Sequence, residues 1–157
     1  MSESLIVPEE AGKEAKYQAL LPQLSMLMDK NLDLVANMAG ITAALKTMFG
    51  FFWVGFYRVN GEELVVGPYQ GSLACTRVRY GKGVCGTAWK EARTIVVPDV
   101  EQFEGHIACS SLSKSEIVVP VFKEGEVVAV LDIDSDELST FDEMDAAYLE
   151  QCCRLLA

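Results

Sequence analysis

An α+β fold is predicted for this chain: a central antiparallel sheet, helices from both ends of the chain on one face, and long loops on the other. Three observations carry that expectation. Apolar residues recur at three-four spacing only near the two ends, whereas the middle holds alternating or continuous apolar runs bounded by Gly, Pro and Asn. Most connections between those runs are too short for a parallel crossover. Two stretches, one beginning at Gly67-Pro68 and one over 98–114, read as long loops, which in a small domain are usually functional.

In chain order, residues 1–12 read as a loose arm and 13–157 as a single domain. A helical period starts at Lys13, with Tyr17, Leu20, Leu21 and Leu24 on one face; Pro22 interrupts it and suits the first position of a new turn. Leu32, Val35, Met38, Ala39, Thr42, Leu45 and Met48 form a second apolar stripe, read as packing and ended by Gly50. Phe51 to Val59 reads as a strand, with Phe52, Val54 and Phe56 on one face and Trp53, Gly55 and Tyr57 on the other. Gly55 should leave a slot between the two rings. Asn60-Gly61 turns the chain into a strand at Leu64 to Val66.

A short strand is expected at Arg77 to Tyr80, a short helix at Thr87 to Ala92 and a strand at Thr94 to Val97. Between them, Gly81 to Gly86 spells GxGxxG with Asp99 downstream, the pattern of a dinucleotide site. The context opposes that reading: the helix is short, and TRVRY is polar for a central parallel strand. The glycines fit better in a loop whose amides face a small ligand. Glu116 to Phe122 and Glu126 to Asp134 are the last strands, and Thr140-x-x-Glu143 is the expected capping box of a last helix that buries Phe141, Met144, Tyr148, Cys152 and Leu155. Cys153 has no evident task.

The 157 residues suffice for one domain with a core, and half of them are hydrophobic. Thirteen basic against 23 acidic residues give a net charge of −10, which argues against nucleic acid and anionic membrane as partners. The N-terminus carries acid where a secretion signal needs base, and the apolar run from Met48 to Phe56 is too short to span a bilayer. Five cysteines without a secretion signal suggest reduced thiols in a cytoplasm.

Two groups of residues could carry chemistry. Cys75, Cys85 and Cys109 sit beside small or polar residues, as reachable thiols do. They fit three readings: inert thiols, a zinc site that begins at His106-x-x-Cys109 but lacks a second pair, or a nucleophile with resolving thiols. Asp132 and Asp134 point to one side of the last strand, about 7 Å apart. A three-residue loop at 123–125, the register expected, would set Glu116 opposite Asp132; a two-residue loop would turn it away. The acids are either a solvated strand end or a cluster that binds an ammonium group and holds a proton.

The cysteines, together with GPYQGSLACTRV, GKGVCGTA, DVEQFEGHIACSS, SEIVVPV and VLDIDS in order, carry a resemblance. From about Tyr17 to Leu149 the chain resembles the free methionine-(R)-sulfoxide reductases, enzymes built on one GAF domain. Ordinary GAF sensors share the VLDIDS-like strand but lack the three cysteines. The resemblance implies a GAF-like fold and reduction of free L-methionine-(R)-sulfoxide to L-methionine, with no metal and no cofactor. It implies that Cys109 is the nucleophile, that Cys75 resolves it as an intramolecular disulfide, and that Cys85 is a secondary thiol. Trp53 and Tyr57 would wall the substrate methyl, and Glu116, Asp132 and Asp134 would bind the substrate. Thioredoxin or a similar reductant would return the thiols; a homodimer is compatible with this scheme. The alternative is a GAF sensor or ligand-binding module without catalysis.

Overall fold

The computed structural model describes residues 4–106 and 112–156. Helices α1 (Lys13–Leu27) and α2 (Leu34–Phe49) lead into strands β1 (Trp53–Asn60), β2 (Glu63–Gln70) and β3 (Arg77–Arg79). Helix α3 (Gly83–Glu91), strand β4 (Ile95–Val97) and a 3-10 turn (Val100–Gln102) follow, then β5 (Ser115–Lys123), β6 (Glu126–Ser135) and α4 (Glu143–Arg154). The six strands form one antiparallel sheet in the order β3-β2-β1-β6-β5-β4, as the short connections require. Among the described residues, no helix is long and apolar enough to cross a membrane.

Alternation along β1 and β6 divides the interior in two. One core joins Tyr17, Leu20 and Leu45 of the terminal helices to Val54, Phe56, Leu131 and Ile133. Each of these large side chains contributes roughly 1.5–3 kcal/mol by leaving water. The second core lies on the opposite face, where Val84 and Ala88 of α3 meet Trp53, Tyr57, Val118 and Val130. The helices of both chain ends therefore occupy one face, and α3 with the loops covers the other.

Several local expectations are corrected. α1 runs through Pro22 without a break, because Tyr17, Leu20 and Leu24 on either side of it are buried together. Leu32 and Val35 are 54% and 41% exposed: Asp33 caps α2 from outside the core, and burial begins at Met38. Strand β2 continues past Gly67-Pro68 to Gln70. Val66 pairs with Tyr57 and Tyr69 with Gly55, so Gly67 and Pro68 share a bulge opposite Phe56, where a residue without an N–H costs no ladder bond. Phe52 precedes β1 and packs with Trp53's side rather than with Val54 and Phe56. Tyr69 fills the slot expected at Gly55: a Cβ there would meet the Tyr69 Cβ at 2.3 Å.

Helix α3 starts at Gly83, four residues early, so Cys85 and Gly86 lie in its first turn rather than in a glycine loop. The cap of α4 is Asp142, not Thr140, and its reciprocal partner is Asp145. Asp145 is itself buried, accepting from Lys13 Nζ and from Tyr17 Oη, both at 2.6 Å. Met144 faces out, whereas Cys152 and Cys153 both enter the core, which gives Cys153 a packing task. Burial pushes the Cys152 thiol up to about 12.

Candidate active site

Strand β6 holds the centre of the site, with β1 and β5 as its neighbours. Asp134 pairs with Trp53 on one side and with Glu116 on the other. One step along, Asp132 pairs with Gly55 and Val118. Period-two alternation puts these rows on the α3 face of the sheet, so three carboxyl groups lie beside Trp53 and Tyr57. Glu116 and Asp132 are buried.

This register differs from the expected one. The β5–β6 turn is the two-residue Glu124-Gly125, both with positive φ, and Lys123 pairs with Glu126. Such a turn alone would send Glu116 to the other face. Further along, Phe122 pairs with Val127 but Val121 pairs with Ala129, so Val128 is an extra residue that restores the parity. Glu116 consequently lies opposite Asp134, with Asp132 diagonal to it.

The aromatic wall is tied to the segment bearing Cys75. Trp53 Nε1 donates to the Ser72 carbonyl and Tyr57 Oη donates to the Cys75 carbonyl, each at 3.0 Å. Trp53 stacks on Tyr69 with centroids 5.2 Å apart, which fixes the plane of the indole. Gly71, at φ 143°, passes so close that a Cβ would lie 2.4 Å from Trp53 Cδ1.

Cys85 is buried, contrary to the expectation of a reachable thiol. It lies in the first turn of α3, whose close approach to β3 depends on Gly86: a Cβ there would fall 2.4 Å from the Arg79 carbonyl oxygen. Its Sγ, a Glu116 oxygen and an Asp132 oxygen lie within 4.8 Å of one another. Burial, and then the surrounding carboxylates, raise its thiol well above the ordinary range. Cys85 and the two core cysteines of α4 are free thiols, whereas Cys75 is disulfide-bonded. The role expected for Cys109 lies outside the described residues.

The three acids differ in how their environment treats a proton. Burial raises the Glu116 carboxyl strongly, and Asp132 and Asp134 add to this through their charge and through hydrogen bonds that Glu116 donates. Burial also raises Asp132, but hydrogen bonds from Glu116 and Cys85 oppose the rise. Asp134 is raised by burial and by Asp132, and the Glu116 bond opposes it. Burial raises all three carboxyls, Glu116 and Asp134 most, so the cluster favours holding a proton in the empty site. Asp132 Oδ1 is buried and has no hydrogen-bond partner among the described residues.

A cavity of about 50 Å³ joins these groups, lined by Trp53, Tyr57, Cys85, Glu116, Asp132 and Asp134. Phe52, Ser72, Val78 and His106 are among the further residues of its wall, which the sequence did not mark as such. His106 had been singled out only as a neighbour of Cys109; its position in the 98–114 loop was the signal available. Burial lowers the His106 imidazole, partly offset by Asp132. No Lys or Arg lines the cavity among the described residues, so the acids have no fixed cation.

The family model described as the GAF domain matches residues 33–157. GAF domain-containing protein A of Dictyostelium discoideum is 56% identical, with 99% of each chain covered. The free methionine-R-sulfoxide reductase of Saccharomyces cerevisiae is 38% identical over 92% of this chain and 86% of its own. The crystal structure of the free methionine-R-sulfoxide reductase of Neisseria meningitidis, solved with its substrate, superposes with a TM-score of 0.94 at 50% identity, covering 98% of this chain and 92% of that one.

Proposed function

The chain belongs to the free methionine-R-sulfoxide reductases, a family built on the GAF domain, and from that premise we propose that it reduces free L-methionine-(R)-sulfoxide to L-methionine. The observation that carries this reading is the buried Oδ1 of Asp132, without a hydrogen-bond partner among the described residues, in a cavity whose described ionisable side chains include three carboxyls and no Lys or Arg. Such a group requires a cation. The α-ammonium of a free amino acid supplies one; a peptide amide does not. Trp53 and Tyr57 then face the apolar end of the ligand, where the methyl group belongs.

Chemistry starts at Cys109. Its thiolate attacks the sulfoxide sulfur, the Glu116 carboxylic acid gives its proton to the sulfoxide oxygen, and methionine leaves as the oxygen passes to Cys109 as a sulfenic acid. The Cys75 thiol then displaces water from the sulfenic acid and closes a disulfide. The disulfide-bonded state of Cys75 supports its part as the resolving thiol. A reduced dithiol protein of the thioredoxin type returns both thiols and is oxidised in turn. Cys85, held to Asp132 and strongly protonated, is a reserve thiol. The same buried acids disfavour a resting thiolate nearby, so Cys109 is activated chiefly once the ammonium has neutralised them. The reduced thiols this cycle requires fit a cytoplasmic setting.

Thiol titration tests the reading against a non-catalytic sensor. Reduced protein given the free R-sulfoxide without reductant should lose two thiols for each methionine released. Binding without methionine release would refute it.

A further inference from the structure

We infer that the cavity also binds a zinc ion, through Cys85 Sγ, Asp132 and Glu116, and that zinc and methionine sulfoxide exclude each other; the second half rests on the reductase reading above. The three ligand atoms already lie within 4.8 Å of one another, close enough for small adjustments to bring them around one ion at zinc–sulfur and zinc–oxygen bond lengths. Each residue is held by regular structure: Cys85 by α3, Glu116 by β5 and Asp132 by β6.

A cluster of acids alone would mean little, but two further features point to a cation. Asp132 is 6% exposed, and its Oδ1 is buried without a partner in the cavity wall. His106 lines the same cavity, and among the described residues its buried Nδ1, like the Asp132 Oδ1, has no hydrogen-bond partner. A thiol with two carboxylates and a nearby imidazole is a zinc-type donor set. Calcium and magnesium prefer oxygen alone, and the sulfur selects against them.

The charge balance agrees. The ion takes Cys85 as a thiolate and the acids as carboxylates, so any protons they carry leave to solvent. Zinc then supplies the positive charge that the substrate ammonium would otherwise bring, at the same carboxylates. Occupation by zinc therefore inhibits turnover competitively and holds Cys85 as a metal thiolate. Because protons are released, affinity rises with pH.

The test is zinc chloride titrated calorimetrically into the full chain, with cobalt(II) as the spectroscopic probe of sulfur ligation. Zinc should bind the parent, Cys75→Ser and Cys109→Ser proteins alike, and cobalt should give a thiolate charge-transfer band. Cys85→Ser should abolish that band and weaken zinc by at least the roughly 10–100-fold that loss of a supporting partner costs. Asp132→Asn, which keeps the side-chain volume, should weaken zinc while leaving the band, which covers the case in which the serine variant does not fold. Zinc binding without turnover would uphold the site and refute the reductase reading. Turnover that zinc does not inhibit, zinc affinity unchanged in both variants, or a thiolate band lost in Cys109→Ser would overturn the inference.

Discussion

Glu116→Gln separates proton donation from substrate binding at a single atom. Glu116 is buried, and burial with the charges of Asp132 and Asp134 raises its carboxyl well above the ordinary range, which favours its uncharged form in the empty site. Glutamine keeps its length, its neutrality and an N–H donor toward the same aspartates. The two acceptors remain to hold the ammonium, so KM should change little. The proton available to the sulfoxide oxygen is lost. General acids of this kind contribute about 10²–10⁴ in rate, and kcat should fall by that factor. The parent kcat should also decline as pH rises through the elevated Glu116 value, because the acid form is depleted there, and the variant should lack this limb. Steady-state kinetics across pH with the free R-sulfoxide give both readouts. A variant that turns over at the parent's rate with only KM raised would refute the assignment and move the proton to an aspartate.

The remaining predictions concern thiols, charge and packing. Cys109→Ser should abolish methionine release, whereas Cys75→Ser should complete one turnover and then stall as a sulfenic acid or a Cys85–Cys109 disulfide, visible by mass spectrometry; full recycling by Cys109→Ser would show the nucleophile to be wrong. Asp132→Asn should raise KM by about one to two decades, for a lost charge-assisted contact of roughly 1.5–3 kcal/mol. The same variant reports on stability. Burial raises the Asp132 carboxyl in the folded state, so its favourable contribution is present at pH below the unfolded value near ~3.9 and is lost as pH rises through the folded value. The melting temperature of the variant relative to the parent should therefore climb with pH in the absence of ligand; a difference independent of pH would refute the buried-charge account. Gly55→Ala drives a Cβ to 2.3 Å from the Tyr69 Cβ and 2.8 Å from Trp53 Cη2, and overpacking of this kind costs about 1–3 kcal/mol in urea unfolding. It should also raise KM by tilting the indole, and an unchanged KM would show that Trp53 is not part of the substrate wall.

The layer order and the grouping of the site were legible because they follow from periodicity. Alternation alone puts Trp53 and Tyr57 on one face of β1 and Asp132 and Asp134 on one face of β6, and the short connections dictate the antiparallel sheet. The side chosen for Glu116 agreed with the structure although the turn did not, since the extra residue at Val128 cancelled the error of one in the loop. A bulge within a continuous apolar run leaves no compositional trace, so nothing in VVAVL could have revealed it. The bulge at Gly67-Pro68 misled in the opposite direction: residues that normally end a strand were absorbed by it. The burial of Cys85 escaped because small neighbours signal exposure in a loop but close packing in a helix, and the early start of α3 decides between the two. Asp145, buried under Lys13 and Tyr17, was invisible for a related reason, since its partners lie at the far end of the chain.

The central claim is that the buried acids select a free amino acid and that one face of the sulfoxide is presented to Cys109. An assay coupled through thioredoxin and its reductase to NADPH oxidation, run with free methionine-R-sulfoxide, its S epimer and an N-blocked peptide R-sulfoxide, tests both parts at once. The account predicts turnover of the free R epimer alone. Equal turnover of the two epimers, or reduction of the blocked peptide at a comparable rate, would contradict it.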